Sequence, residues 1–131
     1  MYSIDGPTWY KNGSKLTEDQ SRGEVLDGYP VLGKVEVTDP GQRQKVYSAI
    51  RGAVRNPPPG SKCFIPRHAI RAVKGDETVD MVICFQCHNY EHHRGGKEVS
   101  GPNPLISSDP EALLDKILSD AGVPLASKDP P

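Results

Sequence analysis

The sequence predicts an α+β fold. Its sheet is small and antiparallel, with three to four strands in the order strand, helix, strand, strand, an optional further strand, then helix, and both helices pack on one face. Three observations predict this. A run with valines at even spacing opens the globular part, two stretches with helical periodicity carry start and stop signals, and two strand-like runs flank a short polar turn. The length of 131 residues suits one domain. Thirteen Gly and thirteen Pro make about a fifth of the chain, against roughly an eighth in an average protein, so long loops must join the elements.

Residues 1–28 are polar and punctuated by glycine, with Trp9, Tyr10 and Leu16 as isolated apolar points. They read as an arm laid on the domain or partly disordered, with one helical turn near residues 17–22. The domain spans 29–126, and 127–131 is a tail. Val31, Val35 and Val37 lie opposite Lys34 and Glu36, the pattern of a half-buried strand. A helix follows, with Asp39 as N-cap, Pro40 at the first helical position and Gln42 where a capping-box partner belongs. Val46, Ala49, Ile50, Ala53 and Val54 form its apolar stripe. Arg43, Lys45, Arg51 and Arg55 fall off that stripe and read as a solvated face. Asn56-Pro57-Pro58-Pro59-Gly60 ends the helix, since consecutive prolines lack the N–H groups it needs.

Residues 67–73 and 78–87 flank Lys74-Gly75-Asp76-Glu77 and read as a hairpin. In the second run Met81, Ile83 and Phe85 point one way and Val82 and Cys84 the other, so both faces are apolar and the strand is central. Pro66 calls for a bulge or loop just before Arg67. The chain turns again at Gly95-Gly96, with a weak edge strand near 97–99 or 104–106. The last helix is predicted from a capping box of Ser108 and Glu111, a stripe of Leu113, Leu114, Ile117 and Leu118, Gly122 past its end and Pro124 as a stop.

Every cysteine and histidine lies between Cys63 and His93. A turn centred between Gly75 and Asp76 pairs residues whose numbers sum to about 151, within a residue or two. Cys63 then falls opposite His88, close to Cys87. Three chemistries fit that grouping. Cys63, Cys84, Cys87 and His88 are candidate zinc ligands, provided the strand ends or bulges near Phe85 so that Cys84 and Cys87 face one ion. His68 lies too far up the ladder to be the fourth ligand. Alternatively Cys63 forms a disulfide with Cys87, or with Cys84 after a shift. Finally, Cys84-Phe85-Gln86-Cys87-His88 fits the C-x-x-C-H signature of covalent haem attachment. Haem fits badly on a buried strand without a well-placed distal ligand. Buried thiols with surface histidines are the plain alternative to all three.

His92-His93-Arg94-Gly95-Gly96, with Asn103 beyond, is reminiscent of a ββα-metal nuclease, but the last helix has no histidine to complete the site. Arg67, His68 and Arg71 form a polar group on the first hairpin strand, suited to an anion or carboxylate partner. Asp80, near Arg71 across the ladder, can meet that need internally.

The segments Cys63-Phe64-Ile65-Pro66-Arg67-His68-Ala69-Ile70-Arg71 and Val79-Asp80-Met81-Val82-Ile83-Cys84-Phe85-Gln86-Cys87 resemble a family of small uncharacterised bacterial proteins. That family shows the double motif C-F-x-P-R-H-x-[I/L]-R and V-D-x-V-I-C-F-x-C. The resemblance extends over residues 29–126, through Val31-Leu32-Gly33-Lys34 upstream and Ala121-Gly122-Val123-Pro124-Leu125-Ala126 downstream. It implies a common fold and no particular activity. The family pattern ends at the second cysteine without requiring His88, which weighs against haem. The resemblance also implies that some relatives are exported, which keeps the disulfide reading open.

Sixteen Lys and Arg against seventeen Asp and Glu leave a net charge of −1, unlike the basic surface of most nucleic-acid binders. No run approaches the ~20 apolar residues of a membrane helix. The N-terminal residues lack the basic and apolar regions of a secretion signal, so the chain is expected to be cytoplasmic or the mature part of an exported protein. The function expected is non-catalytic binding of a protein or small-molecule partner, with a Cys/His site, metal or disulfide, at the hairpin base. The competing reading is a thiol redox or haem-carrying protein.

Overall fold

A computed structural model describes residues 1–131 throughout. Tyr2 and Ile4 give the first strand, β1 (Tyr2–Ile4), two apolar side chains on one face. Two short helices follow, α1 (Gly6–Lys11) and α2 (Glu18–Arg22), the second opened by a reciprocal capping box between Thr17 and Gln20. β2 (Val25–Leu26) and β3 (Tyr29–Lys34) form a tight hairpin through Asp27 and Gly28. Both turn residues have positive φ, 51° and 90°, as the common two-residue hairpin turn requires. α3 (Pro40–Arg55) takes the expected N-cap, the Asp39 carboxylate accepting from the Gln42 amide at 2.7 Å, but the Gln42 side chain makes no return bond, so the expected capping box is half formed. A meander then runs through β4 (His68–Lys74), β5 (Glu77–Cys84), β6 (Asn89–Arg94) and β7 (Lys97–Glu98), and α4 (Glu111–Asp120) completes the order.

All seven strands join one antiparallel sheet, curled into a half-barrel, in the order β2-β3-β1-β4-β5-β6-β7. The expected sheet of three to four strands with two helices is therefore corrected to seven strands and four helices, mostly short. The largest departure is the N-terminal segment. Its first strand lies in the middle of the sheet, pairing β3 on one side and β4 on the other. Met1 to Ile4 are buried. Three residues are too few to show an alternating pattern, yet full burial of Ile4 contributes roughly 2 kcal/mol.

The hairpin register is the expected one: His68 faces Ile83 and Lys74 faces Glu77. Both faces of β5 are covered. On one, Ile83 and Phe85 pack with Val46 and Ala53 of α3 and Leu114, Ile117 and Leu118 of α4. On the other, Val82 and Ala69 pack with Tyr2, Ile4, Leu26 and Tyr29. Trp9 and Phe64 meet Tyr29 edge-on, with centroids 4.9 and 5.8 Å away.

Two local expectations also change. Ser108 does not cap α4; Pro110 occupies the cap position without a side-chain bond, and the Glu111 amide donates to the Ser108 carbonyl at 3.0 Å. The sequence Asp109-Pro110 favours that preceding turn over a hydroxyl cap. The end of the helix behaves as predicted. Gly122 takes φ 74°, Val123 N–H reaches the Leu118 carbonyl and Gly122 N–H that of Ser119, a Schellman closure. No helix is long and apolar enough to cross a membrane.

Candidate functional site

β5 ends at Cys84, and residues 85–88 form the turn into β6. His88 adopts φ 58° there. This ending removes the obstacle of alternating faces, and Cys87 swings back toward the loop segment that precedes β4. Cys63 and Cys87 form a disulfide with 5.9 Å between their Cα atoms. Asn89 fastens the incoming segment by donating to the carbonyls of Ser61 at 3.0 Å and Cys63 at 2.9 Å. Joined, Cys63 and Cys87 present no thiolate to a metal. Haem attachment through both cysteines of the C-x-x-C-H segment has lost one of them. Cys84 is the one free thiol, 1% exposed, its sulfur accepting from the Cys87 amide at 3.2 Å. Burial pushes this thiol up from its ordinary value, so it is a poor nucleophile.

Arg67, His68 and Arg71 do not converge on one partner. Arg67 is buried and reaches the chain's C-terminal segment, with Nε donating to the Ser127 carbonyl at 2.6 Å and Nη2 to that of Asp129 at 3.4 Å. A further bond of 3.0 Å joins it to Gln86. Residues 127–131 read as a tail from sequence; here they are exposed, with Ser127 and Asp129 held at their carbonyls by Arg67. His68 lies 2.6 Å from Asp115 on α4. There burial raises the Asp115 carboxyl, and the bonds from His68 and Lys128 outweigh it and bring the group below its usual range. Arg71 pairs bidentately with Asp80, directly opposite it on β5.

His92 and His93 project to opposite faces of β6, facing Met81 and Asp80 respectively. They build no shared site. His93 instead enters a buried polar cluster that the sequence did not disclose. Its Nδ1 stands 3.8 Å from Asp27, and its Nε2 lies 3.0 Å from Glu91, which also accepts from the Tyr29 hydroxyl at 2.8 Å. Asp27 and Asp80 are 3% and 1% exposed at their side chains, and their carboxyls are close enough that a protonated Asp27 can bond to Asp80. Burial first, then that bond, raises Asp27 to about 6. Burial acts the same way on Asp80, but the Arg71 and Asp27 bonds outweigh it and hold the group low. The dipeptide Asp27-Gly28 between Val25-Leu26 and Tyr29 was the available signal, since Asp-Gly marks a hairpin turn.

The second feature missed from sequence is a groove of about 920 Å³ between α3 and the sheet. Met1, Val37, Val46, Ile50, Ile70 and Met81 supply its apolar lining, and Lys34, Arg43, Arg71 and Glu36 also border it. Arg43, read from sequence as part of a solvated face, turns back so that its Nε bonds the Val37 carbonyl at 2.6 Å. Tyr47 at the groove is 58% exposed and Val73 66%. Amphipathic periodicity announced an apolar stripe on α3, but not that part of it would lie open.

No family model matches the chain, and no curated protein and no solved structure matches it.

Proposed function

We propose that this chain is a small non-catalytic binding domain, stapled at the hairpin base by Cys63–Cys87, that takes an elongated apolar molecule with an anionic end. The observation that carries this reading is the groove between α3 and the sheet. Its volume of about 920 Å³ sits in the range of small-molecule sites, roughly 300–1,000 Å³. Its walls are aliphatic, and three of the four charged side chains around it are cationic. An apolar body gains from burial against Ile50, Ile70 and Met81, and a carboxylate at its end meets Arg43. The bridge supports an oxidising compartment, hence an exported protein. Against the thiol redox reading stand the burial and raised pKa of Cys84.

Calorimetric titration with dodecanoate tests the proposal. Saturable one-to-one binding is expected, weakened about tenfold or more by Ile50→Trp, which fills the groove, and by Arg43→Glu, which reverses charge at its border. Both variants should keep the native melting transition. Absence of saturable binding, or equal binding by all three proteins, rejects this function.

A further inference from the structure

A separate cluster of donors lies at the junction of β4 and α4. His68 opens β4 on the face covered by α4, with 3% of its side chain exposed. The Phe85 ring meets the imidazole edge-on at 5.1 Å between centroids, holding its plane. Glu111 and Asp115 are four residues apart on α4, so their carboxylates share one side of the helix. One atom from each of His68, Glu111 and Asp115 can be chosen so that all lie within 4.8 Å of one another.

We propose that His68, Glu111 and Asp115 bind one first-row divalent cation of the Zn²⁺ class, in competition with the ammonium of Lys128. An imidazole with two carboxylates is a donor set that zinc accepts, and two carboxylates neutralise its charge. Bonds of ~2.1 Å in a tetrahedron set ligand atoms ~3.4 Å apart, so donors now within 4.8 Å of one another need to close by ~1.4 Å at most, while His68 and Asp115, 2.6 Å apart, open by ~0.8 Å. Glu111, with 29% of its side chain exposed, has room to move.

Lys128 identifies the place as one that calls for positive charge. Its Nζ contacts Asp115 and stands 3.7 Å from Glu111. Arg67 grips the carbonyls of Ser127 and Asp129, the residues on either side of this lysine. The ammonium is thereby presented to both carboxylates on a flexible, half-exposed side chain that can swing away. An incoming ion replaces that ammonium and the hydrogen between His68 Nε2 and Asp115. A cleft of about 310 Å³, lined by Arg67, Gln86, His88, Ser108, Glu111 and Lys128, borders the cluster and leaves an open side for water or an anion.

The test is titration of the full oxidised chain with Zn²⁺ by calorimetry and with Co²⁺ by visible absorption. One ion per chain is expected. Affinity should fall at least about tenfold in Asp115→Asn and in Glu111→Gln, and rise about tenfold in Lys128→Ala, with far-UV dichroism checking that each variant is folded. If either carboxylate variant unfolds, the other and Lys128→Ala still decide. No uptake by the native chain overturns the proposal, as does uptake untouched by the carboxylate substitutions. Uptake by Lys128→Ala alone also overturns it, because the lysine then holds the place permanently.

Discussion

Arg71 clasps Asp80 across neighbouring strands with two parallel bonds, Nε to Oδ1 at 2.7 Å and Nη2 to Oδ2 at 2.8 Å. This pair is the charged end of a chain of polar groups running through Asp27 to His93 beneath the β2–β3 turn. The Arg71 guanidinium holds Asp80 low, while burial lets Asp27 keep its proton up to about pH 6.

The raised Asp27 carboxyl makes the stability depend on pH in a definite window. Asp27 is raised in the folded chain from 3.8 to about 6. A raised carboxyl contributes stability that is complete below its unfolded value and is lost as pH climbs through the folded one. The contribution of Asp27 therefore fades between about pH 4 and 6. Asp80, held low, acts oppositely and loses its contribution only in stronger acid. Asp27→Asn keeps the neutral form at every pH, and asparagine tolerates the positive φ at this position. The melting temperature of the variant minus that of the native chain should rise from pH 4 to 6 and level off above. Parallel curves would show that Asp27 is ionised throughout.

The disulfide closes a loop across a sequence separation of 24. Loop-closure entropy for that length gives about 3 kcal/mol. Guanidinium unfolding with and without dithiothreitol should show a loss of that order. A Cys84→Ser variant should lose the same amount on reduction, since Cys84 takes no part in the bridge. An unchanged midpoint in reductant would count against a structural role for the bond.

Two glycine substitutions should act in opposite directions. A Cβ on Gly6 would stand 2.0 Å from the Pro66 carbonyl oxygen, and backbone cannot yield as a side chain does. Gly6→Ala should cost about 2 kcal/mol or more. Gly52, inside α3, has open space where a Cβ would go. Gly52→Ala should stabilise by about 0.5–1 kcal/mol. Thermal melts of the two variants check the pair, and destabilisation by both would mean that α3 sits closer to its surroundings than described.

What the sequence disclosed was local. The hairpin from 68 to 84 was legible because alternation and a Gly-containing turn agree, and its register placed Cys63 beside Cys87. The caps of α3 and the end of α4 were legible for the same reason, each being a pattern within a few residues. β1 was not, because Tyr2-Ser3-Ile4 becomes a strand only through partners more than 25 residues away. Nor was the Asp27–Asp80 pair, since nothing in either neighbourhood names the other. His68 and Asp115 illustrate the same gap: His68 was read with Arg67 and Arg71 as suited to an anion or carboxylate, but nothing named Asp115 until β4 met α4.

The placement of β1 makes the sheet a bridge with a single keystone. In the backbone ladder, β2 and β3 join the meander of β4 to β7 only by way of Tyr2, Ser3 and Ile4. Take those residues out of the ladder and no backbone bond of the sheet spans the breach. The opening letters of this chain, easily mistaken for trim, carry the continuity of the whole architecture.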